Sequence, residues 1–388
     1  MSELVPVLWI CGPPGVGKSA VGWEVFTQLV GSGVNAAYVD LDQLGMCYPE
    51  PADDPGRHRM QATNLAAVVA NYAAAGVRCV VASGLLDPES DAPVGPLPRA
   101  AVTVCRLRAA DDVLRERFVG RGVQAELVDA VLREAAALDA GDSGDVRVDT
   151  TGLPVPEVVR LVRARIGQWP GPAGTVSAAG PAPRRISHAP GPIVWVCGAS
   201  GVGKSTVGWQ LFEHARAGGV PAAFVDLDQL GHFRVQAPGV DPHQIRANNL
   251  AAVWDTFHAG GARCLVVNGP VDDPASVRTY ADAVPAATLT VCRLHAGTEE
   301  LTRRMLRRGR GGSWWQPGDL LRGQPDSFLR EMANDAATAA ARLEQAGVGD
   351  LRVDTDGRTV EQVVQAVLAR TGGWPATARP MSACPGRR

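Results

Sequence analysis

The sequence predicts an α/β protein of two successive domains, each a parallel β-sheet with helices on both faces. Its 388 residues suffice for two or three domains of ordinary size. One pattern of segments occurs twice, at an offset of about 186 residues. Within each copy, short valine-rich runs alternate with longer segments of helical periodicity, which is typical of a parallel sheet covered on both sides. Right-handed crossovers then give a doubly wound sandwich.

The internal repeat is visible as matched segments. VLWICGPPGVGKSAVGWEVF at 7–26 returns as IVWVCGASGVGKSTVGWQLF at 193–212, and DLDQLG at 40–45 returns at 226–231. Shorter matches, NLAAV, TVCRL and RVDT, follow in the same order in both copies. A unit of this length is a whole domain and not a solenoid repeat. The predicted organisation is a first domain at 1–170, a Pro/Gly/Ala-rich linker at 171–190, a second domain at 191–376 and a flexible tail at 377–388.

The elements of the first copy follow from its apolar runs and its helical periods. Strands are predicted near 5–11, 36–41, 77–83, 101–107 and 145–149. Helices are predicted near 17–31, 60–75, 109–119, 125–139 and 155–166. The matched segments place corresponding elements in the second copy.

Overall charge excludes some partners. The formal net charge is −2 and the isoelectric point is about 6.4, so no global field attracts nucleic acid or anionic lipid. No apolar run reaches the roughly 18 residues that span a bilayer, and the start of the chain lacks the charged region of a secretion signal. We therefore expect a cytoplasmic protein with no nucleic-acid or membrane partner. Of the 38 cationic side chains only Lys18 and Lys204 are lysines, and both lie in the same motif.

That motif, GxxxxGK followed by Ser, occurs at 12–19 and at 198–205, after a predicted strand and at the start of a predicted helix. Its glycines let backbone N–H groups converge on a β-phosphate, at which the helix N-terminus also points. The alternative, a glycine-rich turn without a ligand, does not explain the recurrence. The sequence predicts a P-loop NTPase with two nucleotide sites. Their cofactor-binding residues are Gly12, Gly15, Val16, Gly17, Lys18, Ser19 and Ala20, and Gly198, Gly201, Val202, Gly203, Lys204, Ser205 and Thr206.

Acidic residues follow the second predicted strand of each copy, as Asp40-Leu41-Asp42 and Asp226-Leu227-Asp228. The third strands end in Ser83 and Asn268, where ATPases of the AAA and transport types carry acids, and the guanine-reading lysine of GTPases is missing. Two carboxylates at i, i+2 on an extended segment point the same way. We therefore predict metal ligation by Ser19, Asp40, Ser205 and Asp226, and acceptor activation by Asp42 and Asp228. The alternative is a solvated or capping pair of aspartates.

These features together resemble the small-molecule kinases of the adenylylsulfate kinase and shikimate kinase group, as a tandem duplication. The resemblance rests on the P-loop, the DxD motif, the helix that follows it and the strand after an alanine- and glycine-rich turn. It implies ATP as phosphoryl donor with Mg²⁺, and substrate contacts by Asp42, Arg59, Asn64, Asp228, Arg246 and Asn249. The chain lacks the lysine-rich lid of adenylylsulfate kinases and the triple glycine of shikimate kinases. The acceptor is therefore not identified.

Arginines after TVCRL are candidates for a lid that clamps the transferring phosphoryl group. The catalytic residues are predicted to be Lys18, Asp42, Arg117, Arg121, Lys204, Asp228, Arg304 and Arg308. A solvated basic face is the alternative for any one arginine. The second copy is longer here, with Trp314 and Trp315 in a glycine-rich stretch that could cover a bound acceptor or plug the cleft. The alternative is a surface insertion packed against the other domain.

The leading hypothesis is an ATP- and Mg²⁺-dependent kinase that phosphorylates a hydroxyl of a small molecule, with two domains that could pair within the chain. The second hypothesis is a nucleotide-binding regulatory switch or slow ATPase without a small-molecule acceptor. A nucleic-acid end kinase is the third, and the acidic isoelectric point disfavours it.

Overall fold

The structure is a computed structural model that describes residues 4–85, 97, 99–119, 128–140, 146–171, 184–236, 239–312 and 319–375. We call 4–171 the first half and 184–375 the second half. None of the described helices combines the length and apolar character needed to cross a membrane. The predicted tail lies outside the described residues, as does most of the predicted linker.

The elements of the first half agree with the predicted ones to within a few residues, and the short strand β3 was not predicted. Its strands are β1 (Val5–Cys11), β2 (Ala36–Asp40), β3 (Cys47–Tyr48), β4 (Cys79–Ser83), β5 (Ala100–Arg108) and β6 (Val146–Asp149). Its helices are α1 (Lys18–Gly31), α2 (His58–Ala74), α3 (Asp111–Val119), α4 (Val128–Ala140) and α5 (Val155–Ile166). A 3₁₀ turn, Leu41–Gly45, follows β2.

The second half has the same order of strands and helices, and its helix α8 corresponds to a part of the first half that lies mostly outside the described residues. Its strands are β7 (Gly191–Cys197), β8 (Ala222–Asp226), β9 (Phe233–Arg234), β10 (Cys264–Asn268), β11 (Ala287–His295) and β12 (Leu351–Asp354). Its helices are α6 (Lys204–Ala217), α7 (Pro242–Ala259), α8 (Pro274–Ala283), α9 (Thr298–Gly309), α10 (Asp326–Gln345) and α11 (Val360–Arg370). The 3₁₀ turn here is Gln229–Gly231.

The strands form two six-stranded sheets, with the orders β6-β5-β1-β4-β2-β9 and β12-β11-β7-β10-β8-β3. Five strands of each sheet come from one half and are parallel, so the predicted α/β fold is confirmed. The sixth strand is antiparallel and comes from the other half. β9 pairs with β2, and β3 pairs with β8. Each half thus lends a two-residue edge strand to the other, which corrects the expectation of wholly parallel sheets.

Helices cover both faces of the first sheet. Side chains of α1 and α5 pack against Leu8 and Ile10 on one face, whereas α2 packs against Val7 and Trp9 on the other. Alternate residues of a strand point to opposite faces, which explains why β1 is apolar throughout. The strand is consequently buried at every residue except Pro6, and it fixes where the loop after it begins.

One hydrophobic core joins the two halves. It contains side chains of β1 and β4 together with those of β7 and β10, and the helices α2 and α7 lie within it. Leu65 on α2 and Leu250 on α7 are both fully buried there. Since the packing of each helix depends on residues of both halves, we expect the two halves to unfold together.

Leu65→Ala and Leu250→Ala should each lower the free energy of unfolding by about 2–5 kcal/mol, because each leaves a cavity in this joint core. Thermal or denaturant unfolding followed by calorimetry and circular dichroism should show one transition in both variants. Leu320→Ala is the matched control, since Leu320 is 73% exposed and its loss should change stability by less than about 0.5 kcal/mol. Two separate transitions, of which each variant moves only one, would contradict the joint core.

Candidate functional site

The two GxxxxGKS loops lie at the carboxyl ends of the central strands β1 and β7 and run into α1 and α6. Gly12, Gly15 and Gly17 all have positive φ, and a Cβ on Gly12 would collide with the carbonyl oxygen of Leu107. The same holds in the second half, where a Cβ on Gly198 would lie 2.5 Å from the carbonyl oxygen of Leu294. Only glycine fits this curl of backbone.

The lysine of each loop folds over the loop itself. Lys18 Nζ donates to the carbonyl oxygens of Gly12 and Pro13 at 2.8 and 3.1 Å. Lys204 Nζ donates to those of Gly198 and Ala199, both at 3.0 Å. Burial lowers the pKa of each lysine, and the neighbouring aspartates oppose that shift. The ammonium groups therefore lie inside the curl where a phosphate chain would bind.

The first acid of each DxD motif is the last residue of its strand. That strand is β2 or β8, which lies beside β4 or β10 in its sheet. In the sheet, Asp40 of β2 is paired with Ser83 of β4. The carboxylate of Asp40 accepts a hydrogen bond from Ser19 Oγ at 3.2 Å and one from the backbone N–H of Asp42 at 3.0 Å. Asp226 accepts from the backbone N–H of Asp228 at 2.9 Å. The structure therefore brings the P-loop serine and the first acid of the first half into direct contact.

The two acids of each pair differ in burial. Asp42 and Asp228 are exposed, whereas Asp40 is half-buried and Asp226 is buried. Burial raises the pKa of Asp40 to about 7, and repulsion from Asp42 adds to the rise. Burial followed by repulsion from Asp228 raises the pKa of Asp226 to about 6. A cation bound beside these buried carboxylates would stabilise their charged form.

A cleft of about 680 Å³ surrounds the P-loop of the second half. Its lining includes Lys204, Ser205 and both acids of the DxD motif. The opposite wall comes from α9 and from the start of α11. The wall includes Arg304 and Arg308, which the sequence analysis predicted to be catalytic, and also Arg303 and Arg307, which follow the same TVCRL segment. The lining also includes Glu300, Arg358 and Glu361, which carry no motif signal in the sequence.

Arg304 and its counterpart Arg117 tie the P-loop to the loop after the last strand. Arg304 donates to the carbonyl oxygen of Val202 at 2.9 Å and to the hydroxyl and carbonyl oxygens of Thr355, both at 3.0 Å. Arg117 makes the same contacts with Val16 and Thr150 at 3.3–3.4 Å. Both threonines belong to the repeated RVDT segment, but the sequence analysis did not predict this contact. Each arginine thus connects the P-loop of its own half to the loop that follows the last strand.

Arg308 also lines the second cleft. Burial is the main cause of the lowered pKa of Lys204, and the charge of Arg308 adds to it. Arg308 Nε donates to Asp319 Oδ2 at 3.0 Å. Arg121 falls outside the described residues, and so do Trp314 and Trp315.

The predicted acceptor residues occupy different environments. Arg59 is mostly exposed and pairs with Asp53 at 2.8 Å. Asn64 and Asn249 are fully buried. Each donates to a leucine carbonyl oxygen in the segment that follows the first acid of its own half, 41–46 or 227–232, which we call the DxD turn. The distances are 2.8 Å to Leu44 and 2.9 Å to Leu230. These amides support the turns, and a direct contact between them and an acceptor stays a prediction.

Arg246 does not match Arg59 in the structure. A Cβ on Gly231 would collide with Arg246, and a Cβ on Gly45 would lie 2.7 Å from Gln61 Nε2. Gln61 therefore stands where the second half has Arg246, a correspondence that the NLAAV register already contains. Arg246 Nε is buried without a hydrogen-bond partner among the described residues. The second site has a cationic group beside its DxD turn where the first has a neutral amide.

One acidic residue of the first site has no sequence signal. Glu134 on α4 interacts electrostatically with Lys18 and Asp42, and burial raises its pKa. A carboxylate on a helix far along the chain can be placed beside a P-loop only by the tertiary structure. In the described part of the chain no three His, Cys, Asp or Glu side chains converge as a metal centre.

Comparisons with known proteins give fold-level similarities only. No protein-family model matches the chain, and no curated protein matches it. A tunicamycin resistance protein of Deinococcus radiodurans is 20% identical over 42% of this chain and 96% of its own, with a TM-score of 0.31. A gluconokinase of Sinorhizobium meliloti is 19% identical over 42% and 96%, with 0.29. A shikimate kinase of Bacteroides thetaiotaomicron is 17% identical over 47% and 98%, with 0.32. Each similarity thus covers less than half of this chain.

The raised pKa values of Asp40 and Asp226 predict that the stability of the ligand-free protein falls as the pH rises. An aspartate with a folded-state pKa above its unfolded value near 3.9 stabilises the folded state fully only below pH 4, and this stabilisation is lost as the pH rises to about 7. Asp40→Asn and Asp226→Asn should therefore raise Tm by roughly 2–6 °C at pH 8 and by less at pH 4.5. Thermal melts at both pH values test this.

The control for these melts is Asp335→Asn, which alters an exposed carboxylate on α10. Its Tm should stay close to that of the unchanged protein at either pH. A loss of Tm in Asp40→Asn and Asp226→Asn, equal at both pH values, would show that the buried carboxylates stabilise the ligand-free fold.

Proposed function

We propose that the protein is an ATP- and Mg²⁺-dependent phosphotransferase that phosphorylates a hydroxyl group of a small molecule. The observation that carries this proposal is the division within each acid pair. In the first half the half-buried Asp40 accepts from the P-loop serine and Asp42 is exposed. In the second half Asp226 and Asp228 both line the cleft around Lys204, and of the two only Asp228 is exposed. A kinase of this kind needs both, one acid near the metal and one near the acceptor.

The P-loops would hold the phosphates of ATP. Their backbone N–H groups and helix N-termini favour anions, and the ammonium groups of Lys18 and Lys204 would turn from the loop carbonyls to the β- and γ-oxygens. Serine hydroxyls and aspartate carboxylates are the hard oxygen ligands that Mg²⁺ prefers, so Ser19 with Asp40 and Ser205 with Asp226 fit that ion. When bound, Mg²⁺ would neutralise charge on the phosphate oxygens.

The exposed acids would act on the acceptor. Asp42 and Asp228 each follow the metal-side acid by two residues, and a backbone hydrogen bond from their own N–H to that acid fixes the spacing. A carboxylate so placed can orient an acceptor hydroxyl and take its proton as the oxygen attacks the γ-phosphorus. ADP then leaves with the β-phosphate oxygen that was bonded to that phosphorus.

Positive charge at the far wall would stabilise the transferring group. Arg308 lies near Lys204 and lines the cleft, so it can contact the γ-phosphoryl oxygens. Arg304 and Arg117 are engaged with backbone carbonyls, and we assign them to holding the loops in place. The role of Arg121 stays a prediction.

A regulatory nucleotide switch is the second candidate. It is favoured by the neutral residues Ser83 and Asn268 at the ends of β4 and β10, next to the P-loop strands. Without an acid there, activation of water for hydrolysis is weak, and a site could retain ATP. Stoichiometric recovery of unhydrolysed ATP, with no transfer to any acceptor, would favour the switch over the kinase.

Asp42→Asn and Asp228→Asn should each lower the phosphorylation rate of their own site by roughly 10²–10⁴-fold while Mg·ATP affinity is retained, since only the acceptor side is altered. Asp40→Asn and Asp226→Asn should instead weaken Mg·ATP binding. ADP release over a panel of sugars, cyclitols, nucleosides and antibiotics, with calorimetry of Mg·ATP, measures both effects.

The blank for that panel is the double variant Lys18→Ala/Lys204→Ala, and each single lysine variant isolates one site. If all four aspartate variants lose Mg·ATP binding equally, the proposed division of roles is wrong.

The partly buried guanidinium of Arg246 favours an acceptor that carries a carboxylate or phosphate group at the second site. Arg246→Gln, which copies Gln61 of the first half, should lower kcat/KM for anionic acceptors by about 10–100-fold, the value of one charge-assisted hydrogen bond. The KM for ATP should not change. The matched reverse variant is Gln61→Arg, which should leave the second site unaffected. An unchanged preference for anionic acceptors in Arg246→Gln would remove Arg246 from the acceptor site.

A further inference from the structure

We propose that Asn71 and Tyr72 of the first half are positioning residues of the second site, where they hold the turn that carries Asp228. This inference rests on the proposed function for its catalytic consequence. The contacts that support it are structural and cross from α2 to the DxD turn of the other half.

Two side chains converge on one carbonyl group of that turn. The hydroxyl of Tyr72 donates to the carbonyl oxygen of Leu230 at 2.7 Å, and Asn249 Nδ2 donates to the same oxygen at 2.9 Å. Asn71 Nδ2 in turn donates to Asn249 Oδ1 at 2.9 Å, which fixes the orientation of that amide. Tyr72 and Asn249 are fully buried, so water does not replace these bonds.

The turn also connects the two sheets. It begins at Asp226 in β8 of the second sheet and ends at β9, which pairs with β2 of the first. The backbone N–H of Tyr38 donates to the carbonyl oxygen of His232 at 2.8 Å, and the ring of Phe233 lies 5.7 Å from that of Tyr72. Asp228 therefore lies on a short segment whose far end is anchored in the first half.

The support does not run equally in the other direction. In the first half Asn64 Nδ2 donates to the carbonyl oxygen of Leu44, as Asn249 does to that of Leu230. The counterpart of Tyr72 in the NLAAV register is Phe257, which has no hydroxyl to donate. Asn64 Oδ1 is buried without a hydrogen-bond partner among the described residues, whereas Asn249 Oδ1 accepts from Asn71. The second site thus depends on the first half more than the first site depends on the second.

Tyr72→Phe removes only the donated hydrogen bond. In the full chain, hydrogen–deuterium exchange of amides in 227–232 should become about 3–10-fold faster, the effect of one buried hydrogen bond, while exchange in 41–46 changes by less than twofold. Asn71→Ala should have the same direction of effect. Tyr280→Phe is the matched control, because the hydroxyl of Tyr280 bonds His243 and not the turn, and it should leave 227–232 unchanged.

Unchanged exchange in 227–232 for Tyr72→Phe would overturn the inference. Equal acceleration in 227–232 and 41–46 would also overturn it, because it would show a general loss of stability.

The catalytic consequence is measured in a Lys18→Ala background, which leaves only the second site active. There Tyr72→Phe should lower kcat several-fold without changing the KM for ATP, and an unchanged kcat would contradict a positioning role. If no acceptor is phosphorylated by any variant, the proposed function fails, and the exchange result still decides whether Asn71 and Tyr72 hold the turn.

Discussion

The pairing of each half's short edge strand with the other half's sheet is the constraint on which the rest of the molecule depends. β2 and β8 are the outermost strands that each half supplies on that side of its own sheet, and an open edge leaves N–H and C=O groups without partners. The exchanged segments supply those partners, for example the carbonyl oxygen of Met46, which accepts from the N–H of Phe224 at 2.9 Å. Because both exchanges occur together, α2 and α7 are brought between the sheets into one core.

The same exchange determines where the acidic residues lie. Each DxD motif begins at the last residue of a strand in one sheet. The few residues after the motif lead to the short edge strand that pairs with the other sheet. The first acid is part of a strand end and is withdrawn from water, so its pKa rises. The second acid is on the turn and remains exposed. Burial therefore distinguishes the two carboxylates, since it raises the pKa of the first acid, whereas the second acid stays exposed on the turn.

Local patterns in the sequence were sufficient for the parts of the fold that local patterns determine. Valine-rich runs located β1, β2 and β4 to within two residues, and the glycines of the P-loop required the positive φ angles that the structure has. The exchange was not predictable, since β3 and β9 have two residues each and show no periodicity. Their pairing depends on the tertiary arrangement of both halves. Similarly, Glu134 reaches the first site through the packing of α4, which no motif records.

Differences between the two halves are concentrated on one side of each site. The P-loop glycines, lysine and serine and both acids are the same in the two halves. Residues around the DxD turn differ, with Gln61 against Arg246 and Tyr72 against Phe257. The end of the third strand differs as well, since the hydroxyl of Tyr38 bonds Ser83 at 2.7 Å, whereas Asn268 faces Gly208 with its amide unpartnered in the described structure. Under the proposed function, a nucleotide imposes one geometry on its cradle, so that part tolerates little change, and the acceptor side is where the two halves can acquire different chemistry. The turn of the second half is supported at Leu230 by Tyr72 of the first half, whereas the matching Phe257 has no hydroxyl to donate to the turn of the first half.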